Sequence, residues 1–413
     1  MSIFSELKPF GIETGASSHR LPIVVDGTAL DTGHRRRGIG RYVAGLLGEL
    51  DGLADPRLAC LRLHPRRHRG PGREHCPGGE DGSLSMPTWY LKRPPTGHLV
   101  RWAINEAVLQ GELTRTGCAI YHATEPWALP VGHSFKTVVT CHDVIPLLFP
   151  EHYLNRDHFF WRTYYAWLRR KERWKKCDRI IAISEATKQT VIEHLHVPEE
   201  KIHVIYNGID HDQFHPVVDQ ALLDAVRDRY ELRRPFMLYL GGYDFRKNIG
   251  VAVRAMQEVP RSIDVELVLA GGMDKAERDE IEAIAASLGI TDRVRILGYI
   301  DDRDVAGLYA LARAFVYPSL AEGFGLQALE AMALGCPVIA SDVSSLPEVV
   351  EDAGLLVDPR DPAAVGDAMT RLLENDELRQ ELVQRGFLQA RKFSWQRCAR
   401  ETFEVYQDAL NER

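Results

Sequence analysis

Glu322 and Glu330 stand at the two ends of the segment EGFGLQALE, with seven residues between them. A Gly-Phe-Gly turn follows the first glutamate. The apolar run after the turn has helical spacing and ends at Gly335, a typical glycine beyond a helix C-terminus. Carboxylates are strong acceptors for hydroxyl donors, and a helix N-terminus favours an anion. The segment therefore predicts a binding site for an anionic ligand with hydroxyl groups on both sides.

The residues that open this helix should supply part of that site. Their free backbone N–H groups would point at the ligand, and Glu330 would lie one turn into the helix. As an alternative, Glu322 could be an acidic residue that only complements the helix dipole. The predicted substrate-binding residues of the segment are Gly323, Phe324, Gly325, Leu326 and Glu330.

Short β-branched runs alternate with longer helical patterns and would place this segment in an α/β protein. Apolar strands spaced by helices indicate parallel sheets that are covered on both faces, so we predict two doubly wound, Rossmann-like domains with a cleft between them. The predicted strands are 22–27, 137–143, 179–184 and 201–206 in the first half, and 236–242, 265–272, 293–299, 314–319, 337–341 and 354–358 in the second.

The domain junction should lie in the polar stretch 210–235, which is bounded by proline and contains no strand pattern. We predict an N-terminal, acceptor-side domain over 1–215 and a C-terminal domain that binds the donor over 216–390. Residues 391–413 should form a helix that packs back toward the N-terminal domain. Ligands of open α/β sheets bind beyond the carboxyl ends of the strands, so 322–330 should face the cleft.

Composition excludes several classes of protein. The chain has 413 residues, of which 45% are hydrophobic and 26% charged, and its net charge of −7 gives no basis for nucleic-acid binding. No apolar run approaches the roughly 18 residues of a membrane span, and the N-terminus lacks the apolar core of a signal peptide, so a cytoplasmic location is expected. The seven cysteines show no CxxC spacing, which indicates neither a disulfide framework nor a zinc site.

The segment EGFGLQALE resembles the E-x7-E motif of retaining glycosyltransferases of family 4, which have the GT-B fold. Nearly the whole chain is similar to that family. Further matching stretches are GIGRY (38–42), CHDVIP (141–146), IAISEATK (181–188), VIYNGID (204–210), RKN (246–248), LAGG (269–272) and GCPVIASDVSSLPEV (335–349). The combination of GIGRY, HDVIP and RKN looks most like bacterial enzymes that add mannose or related sugars to surface polysaccharides.

The resemblance implies a role for each charged residue. Glu330 would bind the ribose of a sugar nucleotide, and Glu322 would lie beside the transferred sugar. Lys247 matches a family lysine that contacts the diphosphate, where cations would stabilise the charge of the leaving group. The family often has a second arginine at the position that Gly242 holds here, and Arg246 could take over its role. We count Gly242 as substrate-binding. Alternatively, the two cations are an exposed basic pair on a loop.

Two stretches of the N-terminal half should contribute to the same site. By the resemblance, His142 contacts the donor sugar, while the residues alone also allow a structural histidine, or a general base or metal ligand beside Asp143. GIGRY should form a glycine-rich loop after the first strand, where Gly38 and Gly40 let backbone approach the donor phosphates or the acceptor. The predicted catalytic residues are Glu322, Lys247, Arg246 and His142.

Other candidate sites are weaker. Asp302-Arg303-Asp304 has the DxD form that binds a metal in another glycosyltransferase fold, but its position predicts helix capping, so we expect no metal. The stretch 151–176 contains eight Lys/Arg and three Asp/Glu, and its interleaved aromatic residues are Phe159, Phe160, Trp161, Tyr164, Tyr165, Trp167 and Trp174. It could rest peripherally on the inner face of a membrane and receive a lipid-linked acceptor, or its aromatic residues could belong to the core.

The resemblance implies a retaining hexosyltransferase that is independent of metals and other cofactors. Its donor would be a nucleotide-diphosphate sugar, with GDP-mannose favoured, and its acceptor a saccharide or a lipid-linked saccharide. Two rival hypotheses remain: a glycoside phosphorylase with the same fold, and a non-catalytic sugar-nucleotide-binding protein. The sequence leaves the oligomeric state open.

Overall fold

A computed structural model of the protein describes residues 22–31, 38–53, 55–62, 83–85, 109–115, 117–130, 134–154, 166, 168–217 and 219–412. Two parallel sheets form its framework, one of seven strands and one of six. Helices cover both sheets, and each sheet has a buried hydrophobic cluster on either face. The predicted α/β fold with two doubly wound sheets is confirmed.

The first sheet has the strand order β3-β2-β1-β4-β5-β6-β7. Its central strands are β-branched runs such as IVVD and RIIA, buried over their full length, as expected of a parallel sheet covered on both faces. The strands are β1 Ile23–Asp26, β2 Leu58–Arg62, β3 Ser83–Ser85, β4 Ile120–Ala123, β5 Lys136–Cys141, β6 Arg179–Ala182 and β7 Ile202–Val204.

The second sheet has the order β10-β9-β8-β11-β12-β13. All six of its strands coincide with predicted runs. They are β8 Phe236–Leu240, β9 Glu266–Ala270, β10 Val294–Gly298, β11 Ala314–Tyr317, β12 Val338–Ser341 and β13 Gly354–Val357. The described residues of 210–235 include no strand, so the two sheets lie on either side of the predicted junction.

The helices of the first half are α1 Gly38–Gly52, α2 Gln110–Arg115, α3 Ile145–Leu148, α4 Pro150–Leu154, α5 Lys171–Lys176 and α6 Glu185–Thr190. Those of the second half are α7 Gln220–Arg229, α8 Ile249–Ala255, α9 Lys275–Ser287, α10 Val305–Leu311, α11 Leu326–Ala333, α12 Leu346–Val350, α13 Pro362–Glu374, α14 Asp376–Ala390 and α15 Trp395–Asn411. No helix of the described ranges is long and apolar enough to cross a membrane.

The C-terminal helix α15 packs on the first sheet and on α1. A Cβ atom added to Gly45 of α1 would lie 2.2 Å from the indole of Trp395, so only glycine lets the two helices approach this closely. Buried hydrogen bonds complete the contact: His122 of β4 bonds to Tyr406 at 2.5 Å and to Thr140 at 2.8 Å. The hydroxyls of Thr140 and Tyr42 lie 2.8 Å apart. Burial lowers the pKa of His122 to about 3, so this histidine is neutral.

Both sheets reverse their strand order at a central pair, β1 and β4 in the first sheet and β8 and β11 in the second. The chain leaves the two strands of such a pair in opposite directions, which opens a crevice where ligands of doubly wound folds bind. In the second sheet, the loops of this crevice are 241–248 after β8 and 318–325 after β11. These two loops contain the predicted cations and the first predicted glutamate.

Candidate functional site

Lys247 and Glu322 meet at the switch point of the second sheet. Lys247 Nζ lies 2.7 Å from Oε1 of Glu322, and it also donates to the Tyr317 hydroxyl at 2.6 Å and to Oε1 of Gln327 at 3.2 Å. Tyr317 is the last residue of β11, and Gln327 is the second residue of α11. The strand end and the helix start therefore hold one lysine between them.

Arg246 binds the other carboxylate oxygen. Its Nη1 lies 2.8 Å from Oε2 of Glu322 and 3.1 Å from the carbonyl oxygen of Ala321. The exposed fractions of the side chains are 22% for Arg246, 12% for Lys247 and 8% for Glu322. The alternative of an exposed basic pair is therefore wrong, because one buried carboxylate holds both cations.

The charges of this cluster perturb one another. Burial opposes ionisation of Glu322, but Arg246 and Lys247 outweigh that effect and lower the pKa of Glu322 to about 2. Burial and the neighbouring guanidinium lower the pKa of Lys247, against the effect of Glu322. Burial also disfavours the charged form of Arg246, but Glu322 and Asp143 raise its pKa overall. Lys247 and Arg246 present two positive charges here against the carboxylates of Glu322 and Asp244, the latter 3.8 Å from Nε of Arg246.

Asn248 fixes the loop that presents the two cations. Its backbone is left-handed, with φ of 57°, which turns the chain from the 3₁₀ turn Phe245–Lys247 into α8. Its side-chain amide donates to the carbonyl oxygens of Pro318 at 3.0 Å and Pro359 at 2.6 Å. The loops after β8 and β11 are thus bonded to each other, which keeps the cations near Glu322.

Hydroxyl groups from a neighbouring loop hold the start of the EGFG turn. Ser344 Oγ donates to the carbonyl oxygen of Glu322 at 2.7 Å, and Ser345 Oγ donates to that of Phe324 at 2.9 Å. Gly325 has φ of 107° and caps α11. Among the described residues, the backbone N–H groups of 323–325 have no hydrogen-bond partner. They are unpaired donors at the start of α11, where the sequence predicts a ligand.

The side chains of the EGFG turn do not all face the cleft. The Phe324 ring is buried and packs against Tyr206 and Phe393, so only its backbone N–H group is available to a ligand. Leu326 is partly buried and packs on the core of the second domain. A Cβ atom added to Gly38 would lie 3.9 Å from Leu326, so the start of α1 adjoins this turn.

The two domains touch closely at Gly323. A Cβ atom there would lie 2.0 Å from the carbonyl oxygen of His142. The carbonyl oxygen of Gly323 accepts hydrogen bonds from the hydroxyls of Ser184 at 2.8 Å and Thr187 at 3.2 Å. Any larger residue at Gly323 would push the N-terminal domain away from the turn that follows Glu322.

His142 lies directly after β5 and beside this contact. Its Nε2 donates to the carbonyl oxygen of Thr124 at 2.8 Å, and the Tyr42 ring meets the imidazole edge-on with 5.0 Å between the ring centres. The imidazole is 9% exposed. The structure thus places His142 at the cleft next to Gly323, with one ring nitrogen occupied by backbone.

Glu330 lies apart from the cation cluster and touches the other domain. It is buried on α11, and its Oε1 is bonded to a guanidinium nitrogen of Arg41 on α1. Burial raises the pKa of Glu330 to about 7, although Arg41 acts in the opposite direction. The sequence pattern predicts no role for Arg41 of GIGRY. Arg41 and Glu330 are 289 positions apart in the sequence, so no local pattern reveals their contact.

The predicted glycine positions have different outcomes. GIGRY is not a loop, because α1 begins at Gly38 and Gly40 lies buried within it. At Gly242 an added Cβ atom would come no closer than 4.0 Å to the Gly272 carbonyl oxygen, so this position is open. Gln327, which sequence reasoning missed, donates to the carbonyl oxygen of Leu240 at 2.6 Å and ties α11 to the end of β8.

The acidic string 301–304 caps a helix, as predicted. Asp301 accepts from the backbone N–H of Arg303, and buried Asp304 binds Arg229 at 2.5 Å. In the part of the chain that the structure describes, no three His, Cys, Asp or Glu residues are grouped to hold a metal ion. Independence of metals stays a prediction.

The stretch 151–176 is only partly described. Trp174, Leu168 and Tyr153 are buried, so core packing explains these aromatic and apolar residues. His152 stacks on Phe245 of the second domain with 3.8 Å between ring centres, and it thereby joins the two domains beside the cations. Residues 155–165 and 167, with most of the predicted membrane-facing aromatic residues, lie outside the described residues. Membrane contact stays a prediction.

Comparison with known proteins shows the family and the fold of this chain. The model of Glycosyltransferase Family 4 matches residues 36–213, and the model of Glycosyl transferases group 1 matches residues 226–389. O-antigen chain mannosyltransferase B of Escherichia coli is 33% identical over 273 residues, which cover 66% of this chain and 70% of that protein. Serotype-specific mannosyltransferase WbdA of Escherichia coli is 33% identical over 270 residues, or 64% of this chain and 32% of that protein. The chain thus spans about a third of the latter relative's length.

Among solved structures, sucrose-phosphate synthase from Thermosynechococcus elongatus superimposes with a TM-score of 0.73. The two chains are 24% identical, and the alignment covers 94% of this chain and 99% of the other. This similarity shows a common two-domain fold.

Proposed function

Because this chain belongs to glycosyltransferase family 4 and has the GT-B fold, we propose that it transfers a hexose from a nucleotide-diphosphate sugar to a saccharide or lipid-linked acceptor. Mannose is the favoured hexose and GDP-mannose the favoured donor, since the relatives named above are mannosyltransferases. The product would be a polysaccharide or other glycan. One observation carries the proposal: Glu322 holds Lys247 and Arg246 at the switch point of the second sheet.

The cation cluster is suited to a departing diphosphate. Negative charge accumulates on the phosphate oxygens as the bond to the sugar breaks, and preorganised cations stabilise that charge. Lys247 and Arg246 would supply it, together with the N–H groups of 323–325. Because Glu322 already orients both cations, little reorganisation is needed when the donor binds.

Glu322 is poorly suited to act as a nucleophile on the donor sugar. Both of its oxygens are bonded to cations, and the two cations lower its pKa to about 2, which makes it a weak base. We therefore propose front-side substitution with retention of configuration. The acceptor oxygen bonds to the anomeric carbon as the sugar–phosphate bond breaks, the electron pair stays on the phosphate oxygen, and the acceptor proton passes to that oxygen.

The remaining residues would position the substrates. Glu330 would accept hydrogen bonds from the ribose, and His142 would lie beside the donor sugar. The acceptor would bind mainly the N-terminal domain, and the closed cleft would exclude water. Metal ions would not be required, and a cytoplasmic protein that touches the membrane through 151–176 would reach lipid-linked acceptors.

The test combines binding with product analysis. Sugar nucleotides of GDP, UDP, ADP and dTDP would be compared by thermal shift, where a ligand at 100 times its Kd stabilises the protein by about 2.7 kcal/mol. The stabilising donor would then be incubated with candidate saccharide acceptors, and the anomeric configuration of the product read by NMR. An α-linked product from an α-linked donor is expected. A β-linked product would disprove retention, and release of sugar phosphate by inorganic phosphate would indicate a phosphorylase.

A further inference from the structure

The bond between Arg41 and Glu330 crosses the cleft between the domains. Arg41 lies in the first turn of α1, beside the first sheet, and Glu330 lies in α11 of the second domain. The Glu330 side chain is 4% exposed, whereas that of Arg41 is 44% exposed. The arginine can therefore leave the contact for solvent, but the carboxylate cannot.

Arg41 is the cation that offsets the burial of this carboxylate. In the described part of the chain, it is the one charged group that lowers the pKa of Glu330, and burial nevertheless keeps that pKa at about 7. Tyr309, which is fully buried nearby, experiences both charges. A buried carboxylate without this partner would tend to take up a proton.

Further contacts between the domains do not use the Glu330 carboxylate. The Glu348 carboxylate accepts from the backbone N–H groups of Glu185 and Ala186, each at 2.7 Å. Phe245 stacks on His152. The proposed function assigns Glu330 to the ribose, so a bound donor can keep all of these contacts but must share or replace the Arg41–Glu330 bond.

We propose that Arg41 is a positioning residue that occupies the ribose-binding carboxylate until the donor arrives and is displaced by it. This proposal rests on the proposed function. The vicinal hydroxyls of a ribose engage a carboxylate best through both oxygens, and the guanidinium already holds Oε1. Arg41 thus favours the ionised form of Glu330 in the free protein and competes with the nucleotide for it.

If Arg41 competes with the nucleotide, its removal should strengthen nucleotide binding. If Arg41 contacts the nucleotide directly, its removal should weaken binding. Replacing Arg41 by methionine keeps the length of the side chain but removes the competitor, so the protein should bind GDP more tightly, by roughly threefold to tenfold at pH 8.5. Glu330→Gln should weaken GDP binding. In the Glu330→Gln background, Arg41→Met should have no further effect, because the competition needs the carboxylate. Arg41→Lys, which keeps the charge, should stay close to the wild type.

The experiment is a double-mutant cycle of GDP affinity, measured by isothermal titration calorimetry on the full chain at pH 8.5. A parallel cycle of melting temperatures without nucleotide measures whether Arg41 and Glu330 interact in the free protein. Weaker GDP binding by Arg41→Met in both backgrounds would overturn the proposed competition and make Arg41 a direct ligand contact. Unchanged binding would also overturn it. If GDP, UDP, ADP and dTDP all fail to bind the wild type, both the proposed function and the proposed role of Arg41 are disproved.

Discussion

Replacing Glu322 by glutamine should release the two cations of the candidate site. The amide keeps the shape of the side chain but removes the negative charge that binds Lys247 and Arg246 at 2.7 and 2.8 Å. Two cations with small exposed fractions would then repel each other at close range. Breaking a buried ion pair by removing one partner is strongly destabilising, because it leaves charge uncompensated.

The pKa of Glu322 sets the size of this effect. It falls from an ordinary 4.5 to about 2 in the folded protein. Each pKa unit corresponds to about 1.4 kcal/mol, so the ionised carboxylate contributes about 3 kcal/mol of folding free energy at pH 7. A lowered pKa contributes stability above the unfolded value, and that stability is lost as the pH falls from 4.5 toward 2. At pH 3 the contribution should be about half as large.

Urea unfolding at pH 7 and at pH 3 would measure both quantities. The wild type, Glu322→Gln and the exposed control Asp302→Asn would be compared, because the control removes the same charge at the surface. A loss of about 3 kcal/mol that shrinks at pH 3 is expected for Glu322→Gln alone. An equal loss at both pH values, or a loss no larger than that of the control, would refute the assignment of Glu322 as the anchor of the cations.

Three further predictions concern the chemistry of the site. Lys247→Ala should lower kcat by about 100- to 1,000-fold with a smaller change in donor KM, and Arg246→Ala should do the same if both cations stabilise the leaving group. A raised KM with intact kcat would mean that the cation binds the donor equally well in the ground state and the transition state. Glu330 has a folded pKa of about 7, above the unfolded 4.5, so its neutral form adds stability that is present below pH 4.5 and lost as the pH rises through 7. Glu330→Gln should flatten that loss in thermal melts from pH 4 to 8, and an unchanged slope would contradict the assigned burial. Activity should survive EDTA and Asp302→Asn, and recovery of a chelated enzyme by manganese or magnesium would contradict independence of metals.

The sequence predicted most of the framework because strand composition is a local property. Every strand of the second sheet is a β-branched or apolar run that can be recognised by itself. Three strands of the first sheet, β2, β3 and β4, were missed. β3 is only three residues long, and β4 consists of IYHA, where a histidine interrupts the apolar run. That histidine is buried because Tyr406 and Thr140 bond to both of its ring nitrogens, and those partners are distant in sequence.

The GIGRY segment shows how packing can override local preference. Glycine disfavours a helix by about 1 kcal/mol relative to alanine, so a loop was the reasonable prediction there. The structure makes it the start of α1, because small residues on this helix allow α15 to approach and Tyr42 bonds to Thr140. Arg41 is thereby fixed on a helix that points it at Glu330, a relation that no local pattern contains.

The Gly-Phe-Gly turn has more than the ligand-binding role that its sequence suggested. Its phenylalanine is in the core, and its first glycine lies where a Cβ atom would meet the His142 carbonyl oxygen at 2.0 Å. Because Ser184 and Thr187 bond to the carbonyl oxygen of the same glycine, the turn joins the domains directly beside Glu322. A small residue at position 323 is thus required for the close approach of the two domains, and the proposed function adds the access of a ligand to the backbone N–H groups. Both requirements meet at this turn, because Glu322, which holds the two cations, directly precedes Gly323.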